Sequence, residues 1–397
     1  MNAGGSAGAG GSTGSAGSAR AAAASGAARL VYLDVLRGVA VLIMVLAHVV
    51  DSWTEESSRH DFAYYTAVFV GGLGAPLFMF LAGLAQVMSA NAKARRDGSV
   101  AAGRRAMWRR GWEVFALGLL FRVQSQLLGW GALSNLFKVD ILNVMGLSMV
   151  ATALLWGLGS SRGARVTLLA LAAGLATFAT PIVRALPWLD ALPDPLEAYL
   201  RPAAGLGAFT LLPWAGFLFA GGIAGELVDA ARASGRQLRL QIGLAAAGLA
   251  GIALAWWASF RPSIYVSANF WTSSPTFFFI RLGICTALMP ATWAHCWFWL
   301  DTAASRSLPA RLMEPGVAVT RAVELLGRSS LFVYWIHVEM VYGVIATPLK
   351  RTLPLGESLI ATLLLSALLW AIVEWKNRWM AGVVLPRPFG ILAAVLR

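Results

Sequence analysis

Apolar residues in this chain fall into long runs, not into strict alternation with polar ones. A bilayer core needs roughly 20 consecutive, mostly apolar residues per helix. Ten runs meet that length: 31–50, 64–88, 111–130, 139–158, 166–186, 204–225, 239–260, 276–300, 325–347 and 358–375. Leu, Ala, Val, Gly, Phe and Trp fill them, and none alternates as a barrel strand would, so the pattern predicts helices. The run 111–130 is the weakest, because Glu113 and Arg122 interrupt it. The stretch 379–396 is apolar but carries Pro386, Pro388 and two glycines. It reads as interfacial or re-entrant, with an eleventh span as the alternative. The expected fold is all-α: a polytopic integral membrane helix bundle of about ten transmembrane helices.

Residues 1–28 are a Gly, Ala and Ser tract with no apolar face to bury, and read as a flexible leader. Residues 29–397 read as a single transmembrane domain. A cleaved signal peptide over 20–50 is the competing reading. The apolar run there is too long for a typical signal core and holds Asp34 and Arg37, which favours an uncleaved helix.

Composition agrees. Of the 397 residues, 58% are hydrophobic and 13% charged, about half the charge of a soluble domain. The 32 Lys and Arg against 19 Asp and Glu give a net charge of +13, which by itself also suits a basic protein with an acidic partner. The loops decide. With ten spans and a cytoplasmic N-terminus, and with Arg122, Lys138, Arg184, Arg239 and Arg328 counted as span-edge residues to the nearer side, 22 of the 32 cations fall on the cytoplasmic side and 8 on the other, with Arg37 and Arg281 inside spans. That asymmetry is the positive-inside pattern. It places both termini in the cytoplasm, makes membrane lipids the surrounding partner, and removes the need for nucleic acid.

Several motifs fail on context. G-x-S-x-G occurs at 159–163 and in the leader at 4–8 and 10–14. A nucleophile elbow needs a strand before it and a helix after it, and here the motif sits in a short loop and a Gly/Ser tract. Gly71, Gly72 and Gly74 open no βαβ unit, and there is no phosphate-loop lysine motif and no His-x-x-x-His pair, so no metal is expected. Cys285 and Cys296 lie on one helix about 16 Å apart, too far to bridge, and read as buried core residues.

Ionisable groups at membrane depth are costly and default to a functional hypothesis. The first span reads LDVLRGVAVLIMVLAHVVDSW from Leu33 to Trp53. Asp34 and Arg37 are spaced to pair. His48 follows Arg37 by eleven residues, within about 20° of three full turns, so all three share a stripe. Asp51 lies three residues further and is placed to orient the His48 imidazole. The alternatives are a structural Asp34–Arg37 pair and a packing histidine. In the ninth span Ser330, Tyr334 and His337 share a face, and His337 is given a lining role. Asp140 begins the fourth span and Arg281 lies near the start of the eighth; either can line an acceptor site or close a structural pair. Trp256, Trp257, Trp293, Trp297, Trp299, Trp375 and Trp379 gather near span ends, as an aromatic belt does.

The first span looks like the opening helix of membrane-embedded acyltransferases, where L-D-x-x-R-G leads to a histidine near the helix end. GGLGAPLFMFLAGLA at 71–85, RRAMWRRGWEVFALGLL at 104–120, VDILNVMGLSM at 139–149, LLPWAGFLFAGGIAG at 211–225 and LLGRSSLFVYWIHVEMVYG at 325–343 follow in that order. This series resembles the bacterial relatives of heparan-α-glucosaminide N-acetyltransferase. The resemblance implies transfer of an acetyl group from cytoplasmic acetyl-CoA to an amine or hydroxyl of a glycan or lipid-linked acceptor near the far side of a bacterial inner membrane. A homodimer is one option for its assembly. In the lysosomal branch the catalytic histidine sits in the first non-cytoplasmic loop, a place close to His60 in DSWTEESSRHD. His48 is favoured as the general base because it lies in the contiguous motif, with His60 second.

On this reading Asp51 orients His48, and Asp34 and Arg37 line the donor path. Phosphates of the donor would meet Arg104, Arg105, Arg109 or Arg110, although topology alone demands cations in that loop. Asp140, Arg281, Tyr334 and His337 line the acceptor side. The alternative from another class is a transporter or channel that uses Asp34, Arg37, His48 and His337 as a proton or substrate path.

Overall fold

The structure, a computed structural model, describes residues 30–129, 133–203, 205–207, 209–301 and 310–380. The helices are α1 (Val31–Trp53), α2 (Phe62–Gly71), α3 (Gly74–Asp97), α4 (Val100–Gly129), α5 (Ile141–Leu158), α6 (Arg162–Phe178), α7 (Thr180–Arg184), α8 (Asp194–Glu197), α9 (Leu211–Ala233), α10 (Gln237–Ser259), α11 (Pro275–Cys296), α12 (Ala310–Arg328), α13 (Ser330–Tyr342) and α14 (Leu355–Met380). Among the described residues there is no strand, only an isolated bridge between Thr54 and Leu353. The expected leader, 1–28, and nearly all of 379–396 lie outside the described residues.

Seven segments are long and apolar enough to cross a membrane: Val31–Trp53, Phe62–Asp97, Asn135–Leu158, Leu211–Ala233, Gln237–Ser259, Pro275–Leu300 and Leu355–Met380. They correspond to seven of the ten apolar runs. The other three differ for identifiable reasons. The run 111–130 falls within α4, which is continuous but opens with a polar, arginine-rich half. The run 166–186 is divided between α6 and α7, joined through Ala179, whose backbone is still right-handed helical. The run 325–347 is not one helix: it takes in the end of α12, a break at Ser329, all of α13 and a 3₁₀ turn over Val344–Leu349. The thirteen residues of α13 rise only about 20 Å, short of a bilayer core.

The outward faces of the bundle are apolar. Leu249 and Leu254 on α10, Leu171 and Leu175 on α6, and Leu363 and Leu364 on α14 are all largely exposed. A water-facing surface does not carry such patches, whereas lipid chains cover them. Trp256, Trp257, Trp375 and Trp379 stand exposed near helix ends.

Close helix crossings rest on glycine. Without a hydrophobic drive between helices in lipid, association depends on tight packing over small residues. A Cβ on Gly38 of α1 would overlap the Val323 carbonyl of α12, and one on Gly327 of α12 would overlap the Asp34 carbonyl of α1. Gly83 meets the Leu218 carbonyl and Gly221 the Phe80 carbonyl where α3 crosses α9. Gly111 with Gly146, and Gly248 with Gly283, do the same for α4–α5 and α10–α11.

Polar contacts pin the two ends of the bundle. At the C-terminal end of α1, Trp53 Nε1 and Ser52 Oγ donate to the Val341 carbonyl at 3.0 and 3.2 Å. That carbonyl lies in the last turn of α13 and has no partner within its own helix. At the opposite end, Arg95 forms a two-pronged pair with Asp229 at 2.7 and 2.9 Å, and Trp156 Nε1 donates to Glu226 at 2.8 Å. Ser161 of the 159–163 motif accepts from the Ala164 N–H at 3.2 Å and so caps α6, an ordinary N-cap role.

Candidate active site

A cavity of about 1060 Å³ lies among α1, α2, α3, α4, α5, α9, α11 and α13. Along α1 its wall includes Arg37, Met44, Ala47, His48 and Asp51. Arg37 and Asp51 are fourteen residues apart, about 21 Å along the helix axis, so the cavity follows most of the depth of the bundle.

His48 and His337 form its polar centre. His48 Nδ1 lies 2.8 Å from His337 Nε2, and His337 Nδ1 lies 2.8 Å from the Val333 carbonyl. The two rings are nearly coplanar, 13° apart, with centroids 5.0 Å apart, so they meet edge to edge along a hydrogen bond. A carbonyl only accepts, which places the proton of a neutral His337 on Nδ1 and leaves its Nε2 as an acceptor. His48 Nδ1 is then the donor, and the unprotonated nitrogen of a neutral His48 is Nε2. His48 lines the cavity, while His337 is fully buried behind it. Tyr342 stands edge-on to His48, 5.5 Å between centroids, and donates to Asp51 at 2.8 Å. The group that orients His48 is therefore His337, and the Asp51 carboxylate is held by Tyr342.

A second relay ends beside the first. Asp140 caps α5: its side chain accepts from Leu142 N–H at 2.9 Å, and Asn143 answers in a capping box. The same carboxylate pairs with Arg122 at 2.7 Å and accepts from Tyr334 at 2.7 Å. Tyr334 packs edge-on to His337, 5.9 Å between centroids. Arg122, seen in the sequence only as an interruption of an apolar run, is thus an ion-pair partner in the cavity wall.

Of the other residues singled out by sequence, Arg37 lines the cavity and pairs at 3.2 Å with buried Asp34. Arg110 lines it and pairs with Glu113 at 3.3 Å. Arg104, Arg105 and Arg109 are not among the lining residues: the Arg104 side chain packs over Gly157, Arg105 is exposed, and Arg109 pairs with Glu113 at 3.2 Å. His60 is exposed in the loop after α1 and stays outside the cavity wall. Arg281 and Tyr334 line the cavity. Sequence reasoning passed over Tyr342, Arg184, Trp271 and Lys138, which also line it. Lys138 had a signal, two residues before Asp140; Arg184 lies at the end of the run 166–186 and Trp271 in the segment before α11, with no motif to mark either. Among the described residues no group of three or more His, Cys, Asp or Glu is placed to hold a metal ion.

Residues 29–252 match the family described as heparan-alpha-glucosaminide N-acetyltransferase, catalytic. The matched stretch takes in α1 with Asp34, Arg37, His48 and Asp51, the loop with His60, and Arg122 and Asp140. It ends before α11 and α13, which bring Arg281 and Tyr334 to the same cavity and place His337 behind His48, not in the lining position expected of it. A search of curated proteins finds no match. With more than half of its length matched and its apolar helices built for a bilayer, the chain belongs to the heparan-alpha-glucosaminide N-acetyltransferase catalytic family of integral membrane proteins.

Proposed function

We propose that the protein is a membrane acetyltransferase in which His48 is the general base. The observation that carries this reading is the proton arrangement of the His48–His337 pair. It leaves the His48 Nε2 lone pair as the nitrogen without a proton, on a residue of the cavity wall.

The donor suggested by the family is acetyl-CoA. It needs a long site with cations for its phosphates. The cavity is long, and Arg37 and Arg110 line the half nearest the start of α1, which fits an elongated anion. When bound, acetyl-CoA supplies a thioester whose C–S bond breaks as the acceptor's nitrogen or oxygen bonds to the acyl carbon, with the thiol leaving protonated. His48 Nε2 takes the acceptor's proton, and the same proton goes on to the departing thiolate. His337 fixes the His48 tautomer through the 2.8 Å hydrogen bond and is itself fixed by Val333. General base help of this kind is worth about 10²–10⁴-fold. The apolar wall of Phe78, Phe121, Phe217 and Phe278 limits competing water.

The topology that goes with this reading has about ten membrane passages, with both termini in the cytoplasm of a bacterial cell. It is supported by the distribution of 22 against 8 cations in loops and at span edges. Arg37 then faces the cytoplasmic half, and Asp51 the far half where a glycan or lipid-linked acceptor arrives.

The test is a thiol-release assay on detergent-purified protein given acetyl-CoA and a panel of amine and hydroxyl saccharides. Wild type and His60→Ala release CoA in an acceptor-dependent way, and His48→Ala does so about 10²-fold or more slowly. Absence of any acceptor-dependent release, together with solute flux in vesicles that ignores acetyl-CoA, would replace the enzyme with a transporter.

A further inference from the structure

Six cations line the cavity: Arg37, Arg110, Arg122, Lys138, Arg184 and Arg281. Three of them have carboxylate partners, in Asp34, Glu113 and Asp140. For Lys138, Arg184 and Arg281 no carboxylate partner occurs among the described residues. These three precede α5, close α7 and stand in the second turn of α11. In the topology above that is the far side of the membrane, where positive-inside sorting removes cations instead of gathering them. The argument that explains the arginines of the α3–α4 region therefore does not reach these three.

Their surroundings show a prepared site. Arg184 is held by the Thr272 carbonyl at 3.0 Å, Thr210 Oγ1 at 3.0 Å and the Leu212 carbonyl at 3.3 Å, yet its Nε is buried with no partner. Arg281 also has a buried Nε with no partner, and its guanidinium lies 4.0 Å from the Phe277 ring centroid. Phe277 meets Trp271 edge-on at 5.0 Å, and Trp271 adjoins Thr272, the residue that holds Arg184. Arg281 lines the cavity and makes no hydrogen bond or ion pair among the described residues, so its guanidinium donors on the cavity side are left to a ligand. Asp140 is already neutralised by Arg122, and Asp51 is held by Tyr342, so the balance at this end stays positive.

We infer that this end of the cavity is an acceptor subsite for a saccharide bearing an anionic group, a phosphate or a carboxylate, anchored by Arg281 with Arg184 beside it. The planar guanidinium forks suit either oxyanion. Trp271, exposed on the same wall, offers a flat apolar face to the sugar ring, and Phe277 backs the Arg281 guanidinium. The inference rests on the acetyltransferase reading for its purpose, but anion binding itself does not require acetyl transfer.

The experiment uses the full chain in phosphatidylcholine nanodiscs, with glucosamine, glucosamine 6-phosphate and muramic acid as probes. Binding without donor is read from tryptophan fluorescence, and transfer from acetyl-CoA is read as kcat and KM. Wild type shows a KM at least about 10-fold lower for one of the two anionic probes than for glucosamine, and which one identifies the anion. Arg281→Gln raises that KM about 10-fold, the loss expected for a charge-assisted contact. Arg281→Lys keeps part of the preference, which separates lost charge from misfolding. Arg261→Gln, on the same side but outside the cavity wall, keeps all of it. Equal KM values for neutral and anionic probes in the wild type overturn the inference. So does an Arg281→Gln effect on the acetyl-CoA KM alone, which would assign the cations to the donor's phosphates. Arg281-dependent binding of an anionic probe without any acetyl transfer would uphold the anion site and remove the acetyltransferase reading.

Discussion

His48 and His337 are 289 positions apart in the chain and share a 2.8 Å hydrogen bond. The contact depends on α1 and α13 being held together at their ends, where Trp53 and Ser52 both donate to the Val341 carbonyl. It fixes which nitrogen of a neutral His48 is unprotonated, and the proposed role of His48 as base rests on that arrangement.

Replacement of His337 should separate positioning from chemistry. His337→Gln retains a carbonyl that can accept from His48, and is expected to keep more activity than His337→Ala. His337→Ala should lower kcat by about 10-fold or more while acceptor KM changes little, since His337 is buried behind His48. His48→Ala should lose about 10²-fold or more. Steady-state kinetics of the three variants check the order; a KM effect at His337 with unchanged kcat would argue against a positioning role.

The pH profile has a definite sign. A base must be unprotonated to act, so kcat/KM is full above the pH at which His48 binds a proton and falls below it. One proton at His48 Nε2 is enough to stop the reaction, which predicts an acid limb of unit slope. The residual activity of His48→Ala should lack that limb. A profile that falls only on the alkaline side would exclude this role.

Asp140 performs three tasks, and two substitutions divide them. Asp140→Asn keeps an N-cap oxygen but loses the charge that pairs with Arg122. Asp140→Ala loses both. Removal of the cap costs about 1 kcal/mol, and stranding a largely buried arginine about 3–5 kcal/mol. Asp140→Ala should therefore lower the thermal midpoint in detergent more than Asp140→Asn does. Equal losses would show that the cap contributes nothing.

The α1–α12 crossing should not accept a methyl group. At Gly327 it would meet the Asp34 carbonyl, and backbone cannot yield as a flexible side chain can. Gly327→Ala should cost about 1–3 kcal/mol as overpacking and disturb the Asp34–Arg37 pair. Gly174→Ala, where nothing lies within 4 Å, should be neutral or slightly stabilising. Thermal unfolding of both in one detergent checks the contrast.

Within the site, α1 was the most legible element. Arg37 and His48 recur at nearly three full helical turns, Asp51 follows three residues on, and all three line the cavity. The arginines of the α3–α4 region were less legible, because sequence gives their side of the membrane but not their direction. Of Arg104, Arg105, Arg109 and Arg110, only Arg110 lines the cavity. Asp51 shows the same limit. Its spacing from His48 suggested a local pair, and the fold supplied Tyr342 to one and His337 to the other.

The sequence by itself determined the helical, membrane-embedded class, and of its ten apolar runs seven coincide with segments long and apolar enough to cross a bilayer, because lipid imposes a length and an apolarity on each helix independently of its neighbours. It also carried the family, through motifs local to single helices. Only the tertiary structure decided that the run 325–347 breaks at Ser329, that Arg122 joins Tyr334 on Asp140, and that His48 leans on His337. Those are contacts between helices far apart in the chain. They are set by glycine crossings and by buried polar groups seeking partners, neither of which leaves a periodic trace in the sequence.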